Sequence, residues 1–176
     1  MSSSSKRSSS SRTPSKRILA ELSAYHASPS RTITSLSPVS SSNLLSLRAV
    51  LSGSTLPASS GYQDGRFLLS IEIPSNYPVG APVITFVTRV CHPNVRFDNG
   101  EICLDVLREN WTPILGVVGA LECVARLLEE PGTDSPLNVD VAALVREGDL
   151  VAARGLVGFY CAEERFEGEL EEEDGR

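Results

Sequence analysis

"LLSLRAVLSGSTLPASSGYQDGRFLLSIEIP", residues 44–74, alternates apolar and polar side chains in two runs joined by a Gly/Ser/Asp-rich spacer. Leu45, Leu47, Ala49 and Leu51 share one face at period two, and Phe67, Leu69, Ile71 and Ile73 do the same. This is the pattern of two half-buried strands, and the spacer over 53–65 suits a hairpin connection. Outward from it, "RTITSLS" (31–37) and "PVITFVT" (82–88) read as further strands. The links are short and hold no helix. A four-stranded antiparallel meander follows, with one face covered by helices.

Helical patterns flank the strands. In "SKRILAELSAY" (15–25) Ser15 is placed to cap a helix on which Ile18, Leu19, Leu22 and Tyr25 recur at helical spacing. Thr112 and Pro113 read as N-cap and first helical residue of a second helix, with a stripe of Leu115, Val118, Leu121, Val124 and Leu128 running to Glu130. Pro131-Gly132 ends it. Gly116 and Gly119 each weaken that helix by up to ~1 kcal/mol relative to Ala, so packing has to hold it. "NVDVAALVREG" and "DLVAARGLVGFYCAEERF" give two more helices. Helix, meander, irregular stretch, helices: the class is α+β.

The bulk composition bounds the setting. At 176 residues, 41% apolar and 22% charged, the chain has the size and balance of one folded domain. A net charge of −6 argues against nucleic acid as a partner, although the first seventeen residues are basic and the last fourteen acidic. No apolar run approaches the ~20 residues that span a bilayer, so no direct membrane insertion is expected. The start, "MSSSSKRSSSSRTPSKR", resembles a mitochondrial presequence in composition, but a solvated disordered tail is the favoured reading. Four cysteines without CxxC spacing point to reduced thiols in the cytosol.

Chemistry concentrates in "CHPNVRFDNGEICLDV", residues 91–106. It leaves three readings: a metal site, a cysteine–histidine catalytic pair, or a thiol that needs no base. A metal needs three or four converging ligands. Cys91 and His92 are adjacent, no second pair follows, and His26 lies in a Ser/Pro-rich region, so no metal and no cofactor are expected. A hydrolase would need His92 beside the nucleophile, an orienting third group and an oxyanion pocket. Eleven residues separate His92 from Cys103, which does not exclude contact, but Pro93 directly after the histidine favours a structural role. Asp98-Asn99-Gly100 reads as a turn between the two halves.

"HPNV" followed by "GEICLDVL" and then by "WTP" (111–113) resembles the active-site signature of ubiquitin-conjugating enzymes. "PSNYPVGAPVITF" (74–86) is similar to that family's YPxxPP region, and "EEPGTDSPLNVD" (129–140) to its loop after the second helix. The resemblance covers about residues 15–167. It implies a catalytic domain of the ubiquitin-conjugating fold over 15–167, between the low-complexity Ser/Arg-rich tail expected to be disordered over 1–14 and an acidic tail expected to be flexible over 168–176. "TDSPLNVDVAALVREGDLVAARGLVGFYCAEERF" (133–166) further resembles the peroxisomal branch of the family.

The resemblance assigns roles. Cys103 would take ubiquitin as a thioester from a ubiquitin-activating enzyme and later release it. One thioester replaces another at nearly balanced energy, and a free thiol with pKa near ~8.5 keeps a few per cent thiolate at neutral pH, so no dedicated base is required. Asn94 would donate to the oxyanion when an acceptor attacks, with bracing of the local loop as the alternative. Asp134 and Ser135 occupy the gate position at which relatives often carry a carboxylate. Ser135 adds no charge there unless phosphorylated. Cys91 stands where many relatives have an aromatic wall. His92, Pro93 and Leu104 would support the site, Leu137 would wall the acceptor's approach, and Trp111 would pack under it.

Ligase docking would use Lys16 and Arg17 on the first helix, Val79 in one loop, and Pro113 with Ile114 in another. Phe159 and Tyr160 are consecutive on a helix, so ~100° separates them and both cannot point into one core; one is left either to face a partner, such as the adaptor, or to pack peripherally. The implied partners are ubiquitin, its activating enzyme, RING ligases of the peroxisomal membrane, a membrane-anchored peroxisomal adaptor, and an import receptor as substrate. The implied location is cytoplasmic, at the cytosolic face of the peroxisome membrane. Two rivals share the fold: a non-catalytic variant that only binds ubiquitin, and a conjugating enzyme for another ubiquitin-like modifier.

Overall fold

The computed structural model describes residues 13–103, 111–132 and 136–170. Helix α1 spans Pro14–Ala27, and strands β1 (Ile33–Ser40), β2 (Asn43–Ser52), β3 (Arg66–Glu72) and β4 (Val83–Phe86) follow. Helices α2 (Gly116–Glu129), α3 (Val139–Glu147) and α4 (Leu150–Glu163) complete the described chain. The four strands form one antiparallel sheet in chain order. That is the expected meander.

Register shows why the alternation matters. Leu47 pairs with Ile71, Ala49 with Leu69 and Leu51 with Phe67, while Leu69 and Ile71 pair with Phe86 and Ile84. All of these are buried, and they form one continuous apolar face. The β2–β3 connection holds two short 3-10 turns, Gly53–Thr55 and Ala58–Ser60. Ile18, Leu22 and Tyr25 of α1 close part of the core, and the Tyr25 hydroxyl donates to the Ile33 carbonyl at 2.9 Å.

Two helix starts differ from the sequence reading. Helix α1 begins at Pro14, and Thr13, not Ser15, caps it by accepting from the Lys16 N–H. Proline at the first helical position fits this, because its missing N–H is never needed there. Helix α2 begins at Gly116 rather than Pro113, with residues 112–115 forming a turn closed by Leu115 N–H to the Thr112 carbonyl at 3.0 Å. Its buried stripe shifts accordingly: Val117, Ala120, Leu121, Val124, Ala125, Leu127 and Leu128 are buried, Leu115 is exposed and Val118 half-buried. Truncating a residue such as Leu121 to Ala would cost about 2–5 kcal/mol. Gly116 is not an interior helix residue. Its φ of +63° lies in the left-handed region, which suits only glycine at little cost.

The chain beyond α4 also departs from expectation. Gly168 and Glu169, expected to begin a flexible tail, are held against β3 by Arg66. The Arg66 guanidinium donates to the carbonyls of Phe166 (3.0 Å) and Gly168 (2.6 Å), faces the Phe166 ring at 5.2 Å and pairs with Glu169 at 3.5 Å. Among the described residues, no helix is long and apolar enough to cross a membrane.

Candidate active site

Cys103 sits at the end of an irregular hairpin. Val95 bridges Ile102, Arg96 N–H donates to the Glu101 carbonyl at 2.8 Å, and the Cys103 N–H donates to the Asn94 carbonyl at 2.9 Å. The expected turn lies between them. Gly100 adopts φ +71°, and a Cβ there would sit 1.8 Å from the Phe86 carbonyl oxygen. The turn is therefore pressed on the end of β4, where Phe86 N–H donates to the Gly100 carbonyl at 3.0 Å. This places Cys103 beside Asn94, half-exposed.

His92, Pro93 and Asn94 fasten everything around that thiol. His92 is fully buried. Its Nδ1 accepts from the Asn94 backbone N–H at 3.0 Å, which leaves Nε2–H to donate to the Leu127 carbonyl at 2.9 Å. Leu127 is in the last turn of α2, where carbonyls lack helical partners, so the imidazole satisfies one of them. Burial pushes the imidazole down to about 4, against the upward pull of the Leu127 hydrogen bond. With both nitrogens engaged, His92 is a neutral strut. It cannot serve as base to Cys103 or as a metal ligand, so the structural reading stands and the cysteine–histidine pair falls.

Pro93 and Asn94 hold the chain on either side of residues 133–135. The Pro93 carbonyl accepts from the N–H groups of Leu137 (2.8 Å) and Asn138 (3.0 Å). The Asn94 carboxamide pairs with the backbone of Gly132 on both sides, donating to its carbonyl and accepting from its N–H, each at 2.8 Å. Asn94 thus braces the loop in this state, as the alternative role expected, with its second amide hydrogen not used in that pair. Asp134, Ser135 and Leu104 lie outside the described residues. Leu137 is half-buried at the gate's far end.

The remaining cysteines separate cleanly. Cys91 and Cys161 are buried, and burial raises both thiols, to about 11 and about 12. Cys91 does not act as an exposed wall of the thiol's surroundings: its side chain is only 3% exposed, and its carbonyl accepts from the Tyr62 hydroxyl at 2.7 Å. Cys123, on α2, is half-buried.

The other expected site residues fall in two places. Lys16 and Arg17 lie on the first turns of α1, Val79 is 75% exposed and Ile114 is 92% exposed. Arg17 donates to the Pro113 carbonyl at 2.9 Å, so α1 and the 112–115 turn are joined. Trp111 is half-buried and packs against this region, its Nε1–H donating to the Pro78 carbonyl at 3.1 Å and its ring 5.9 Å from Tyr77. On α4, Phe159 is 58% exposed, whereas Tyr160 turns back to meet Phe97 of the thiol's hairpin at 4.8 Å. Sequence reasoning missed Gly132, which meets Asn94, and, away from the thiol, Glu21. Glu21 receives the N–H of Val117 at 2.7 Å and so caps α2 from another helix.

Comparison with known proteins agrees with this geometry. The family model described as ubiquitin-conjugating enzyme matches residues 17–152. The chain is 44% identical over 170 residues to ubiquitin-conjugating enzyme E2 PEX4 of Gibberella zeae, covering 94% of this chain and 98% of that protein. It is 40% identical over 133 residues to ubiquitin-conjugating enzyme E2-21 kDa of Saccharomyces cerevisiae, covering 74% and 71%. Among solved structures it superimposes on the H. polymorpha ubiquitin-conjugating enzyme Pex4p, crystallised with the soluble domain of Pex22p, with a TM-score of 0.78 at 32% identity, covering 86% of this chain and 98% of that one.

Proposed function

The chain belongs to the ubiquitin-conjugating enzyme family and resembles its PEX4 members, and on that premise we propose that Cys103 carries ubiquitin as a thioester. One observation carries the reading: a half-exposed thiol stands at the end of a hairpin whose opposite strand, through Pro93 and Asn94, holds both ends of the gate loop.

In the first step the Cys103 thiolate attacks the acyl carbonyl of ubiquitin on the activating enzyme. A carbon–sulfur bond forms to Cys103, the other thiolate leaves, and a proton restores it to a thiol. In the second step an acceptor amine or thiol attacks the same carbonyl, Cys103 leaves as thiolate, and the proton lost by the acceptor returns it to a thiol. The oxygen carries negative charge in each tetrahedral intermediate. The spare amide hydrogen of Asn94 is the donor for it, and the Gly132 pair fixes the carboxamide plane. His92 supplies rigidity and no proton.

A RING ligase docks on Lys16, Arg17, Val79, Pro113 and Ile114; the Arg17–Pro113 and Trp111–Pro78 hydrogen bonds, which join α1 and the two loops, support this. Exposed Phe159 faces a membrane-anchored adaptor, which would bring the chain to the cytosolic face of the peroxisome membrane. The H. polymorpha relative solved with the soluble domain of Pex22p supports that part. The substrate is an import receptor whose acceptor is a cysteine. A thiol at pKa ~8.5 needs less deprotonation than a lysine at ~10.4.

The test is incubation with activating enzyme, ATP and ubiquitin, then challenge with free cysteine or free lysine. The reading expects a thiol-sensitive adduct that Cys103→Ala abolishes, discharged faster by cysteine. No adduct, or one that survives Cys103→Ala, overturns thioester carriage; faster discharge by lysine overturns the acceptor alone. Loading by a different ubiquitin-like modifier would place the chain with the rival reading.

A further inference from the structure

Three separate pieces of chain converge on one carboxylate. Glu21, on α1, accepts from the Val117 N–H at 2.7 Å and from the Tyr77 hydroxyl at 2.7 and 2.9 Å, and it pairs with Arg17 one helical turn earlier. Val117 is the second residue of α2, one position beyond Gly116 and the 112–115 turn that carries Pro113 and Ile114. Tyr77 lies within the turn that carries Val79, whose N–H donates to the Asn76 carbonyl at 2.9 Å. Arg17 in turn donates to the Pro113 carbonyl, and Trp111 to the Pro78 carbonyl. The three exposed tips are thus tied to one acceptor beneath them.

The fit is close. Leu115, at the N-cap of α2, has no side-chain acceptor, so the helix takes its cap from Glu21. A carboxylate at that end also meets the positive end of the helix dipole. A Cβ on Gly116 would come within 2.7 Å of the Glu21 Oε2, and the backbone there is left-handed as well. Tyr77 is 3% exposed and its hydroxyl is aimed at Glu21. The Glu21 side chain keeps 15% exposure, and a shallow concavity along Lys16, Arg17, Ala20, Glu21 and Ala24 opens beside it. An ionised carboxylate, an acceptor at both oxygens, can hold a helix N–H, a phenol and a guanidinium together. A carboxamide cannot, because its NH₂ would oppose either Arg17 at one oxygen position or the Val117 N–H at the other.

We propose that Glu21 is a positioning residue that locks α1, the Tyr77–Gly80 turn and the 112–116 turn into one rigid docking face, so that its loss weakens ligase engagement and leaves the thioester chemistry intact. This deepens the docking assignment above and rests on it. The hydrogen bonds of Glu21 go to Arg17, Tyr77 and Val117, away from the thiol's hairpin, so it acts through the three tips.

The experiment uses the full chain and its Glu21→Ala, Glu21→Gln and Tyr77→Phe variants, each loaded with ubiquitin. A recombinant RING domain that stimulates the parent chain is titrated against each one. Discharge without ligase, melting temperature and amide hydrogen exchange over 76–80 and 112–117 are measured in parallel. For Glu21→Ala the half-saturating RING concentration is expected to rise about tenfold, on the scale of one charged hydrogen bond lost. Glu21→Gln and Tyr77→Phe should give smaller rises. Maximal stimulation and unstimulated discharge should stay at parent values, while exchange quickens in both turns together.

Unchanged half-saturation with unchanged exchange overturns the proposal. So does a parallel fall of every rate with melting temperature, which marks a merely structural residue. If Glu21→Ala does not fold, Tyr77→Phe, which keeps the ring, decides between these outcomes. If no RING domain stimulates the parent chain, the docking assignment fails by itself. Exchange then decides the remainder: joint loosening of the two turns supports the lock, and independent or unchanged exchange refutes it.

Discussion

Acid should loosen the clamp around Cys103 before it unfolds the protein generally, and the group responsible is His92. Burial holds its imidazole at about 4 in the folded chain, against about 6.5 in the unfolded one. Below about 6.5 the unfolded state therefore binds a proton that the folded state refuses, so stability falls as pH falls. The stabilising contribution is complete above about 6.5 and is lost on the way down through 4. Linkage puts the loss at about 2 kcal/mol by pH 5 and about 3 kcal/mol by pH 4. Protonation also removes the lone pair at Nδ1 that accepts the Asn94 N–H, so the first local consequence is at Asn94. Urea unfolding of the parent chain and of His92→Phe between pH 7.5 and 4.5 isolates the effect, because the other titrating groups cancel in the difference. The variant should be less stable at neutral pH and should lose less on acidification. A parent-minus-variant difference that stays flat across the range, or a His92 imidazole proton resonance, assigned by its loss in His92→Phe, that titrates near 6.5, would refute this role for His92.

Other outcomes follow from the same clamp. Asn94→Ala removes both hydrogen bonds to Gly132, each worth about 1 kcal/mol, and the candidate oxyanion donor with them. It should still accept ubiquitin but discharge it about 10²–10³ times more slowly, and parent-like discharge in single-turnover assays would exclude the donor role. Under native conditions iodoacetamide should modify Cys103 rapidly and leave Cys91 and Cys161 untouched, since burial raises both of those thiols. Peptide mass mapping after short exposure reads the order directly, and early modification of Cys91 would contradict its burial.

How far the sequence can be read depends on the distance between partners. Period-two alternation in 44–74 places β2 and β3 because each inward side chain is locally visible. Pro93 favours a structural role for His92, whose imidazole is buried and hydrogen-bonded at both nitrogens. The α2 start is hidden for a physical reason. Thr112-Pro113 carries the local marks of a helix start, whereas the operative cap, Glu21, comes from 96 residues earlier and leaves no trace near the helix. Pro14 does carry a local signal, since proline at the first helical position makes Thr13 the cap. The Asn94–Gly132 pair spans 38 residues, and the Arg66 hold on Phe166 spans 100, so neither is visible in any short window. Asp134 and Ser135, by contrast, rest on resemblance alone.

The claim on which the rest depends is that the Cys103 sulfur holds ubiquitin through a labile acyl bond. Replacing only that atom tests it most directly. In Cys103→Ser the hydroxyl keeps the end of the hairpin, while an alkoxide leaves far less readily than a thiolate. Intact mass measurement after incubation with activating enzyme, ATP and ubiquitin should show a one-ubiquitin adduct that resists free cysteine and breaks in alkali. A variant that never gains ubiquitin's mass, or gains and releases it as fast as the parent, would contradict the claim.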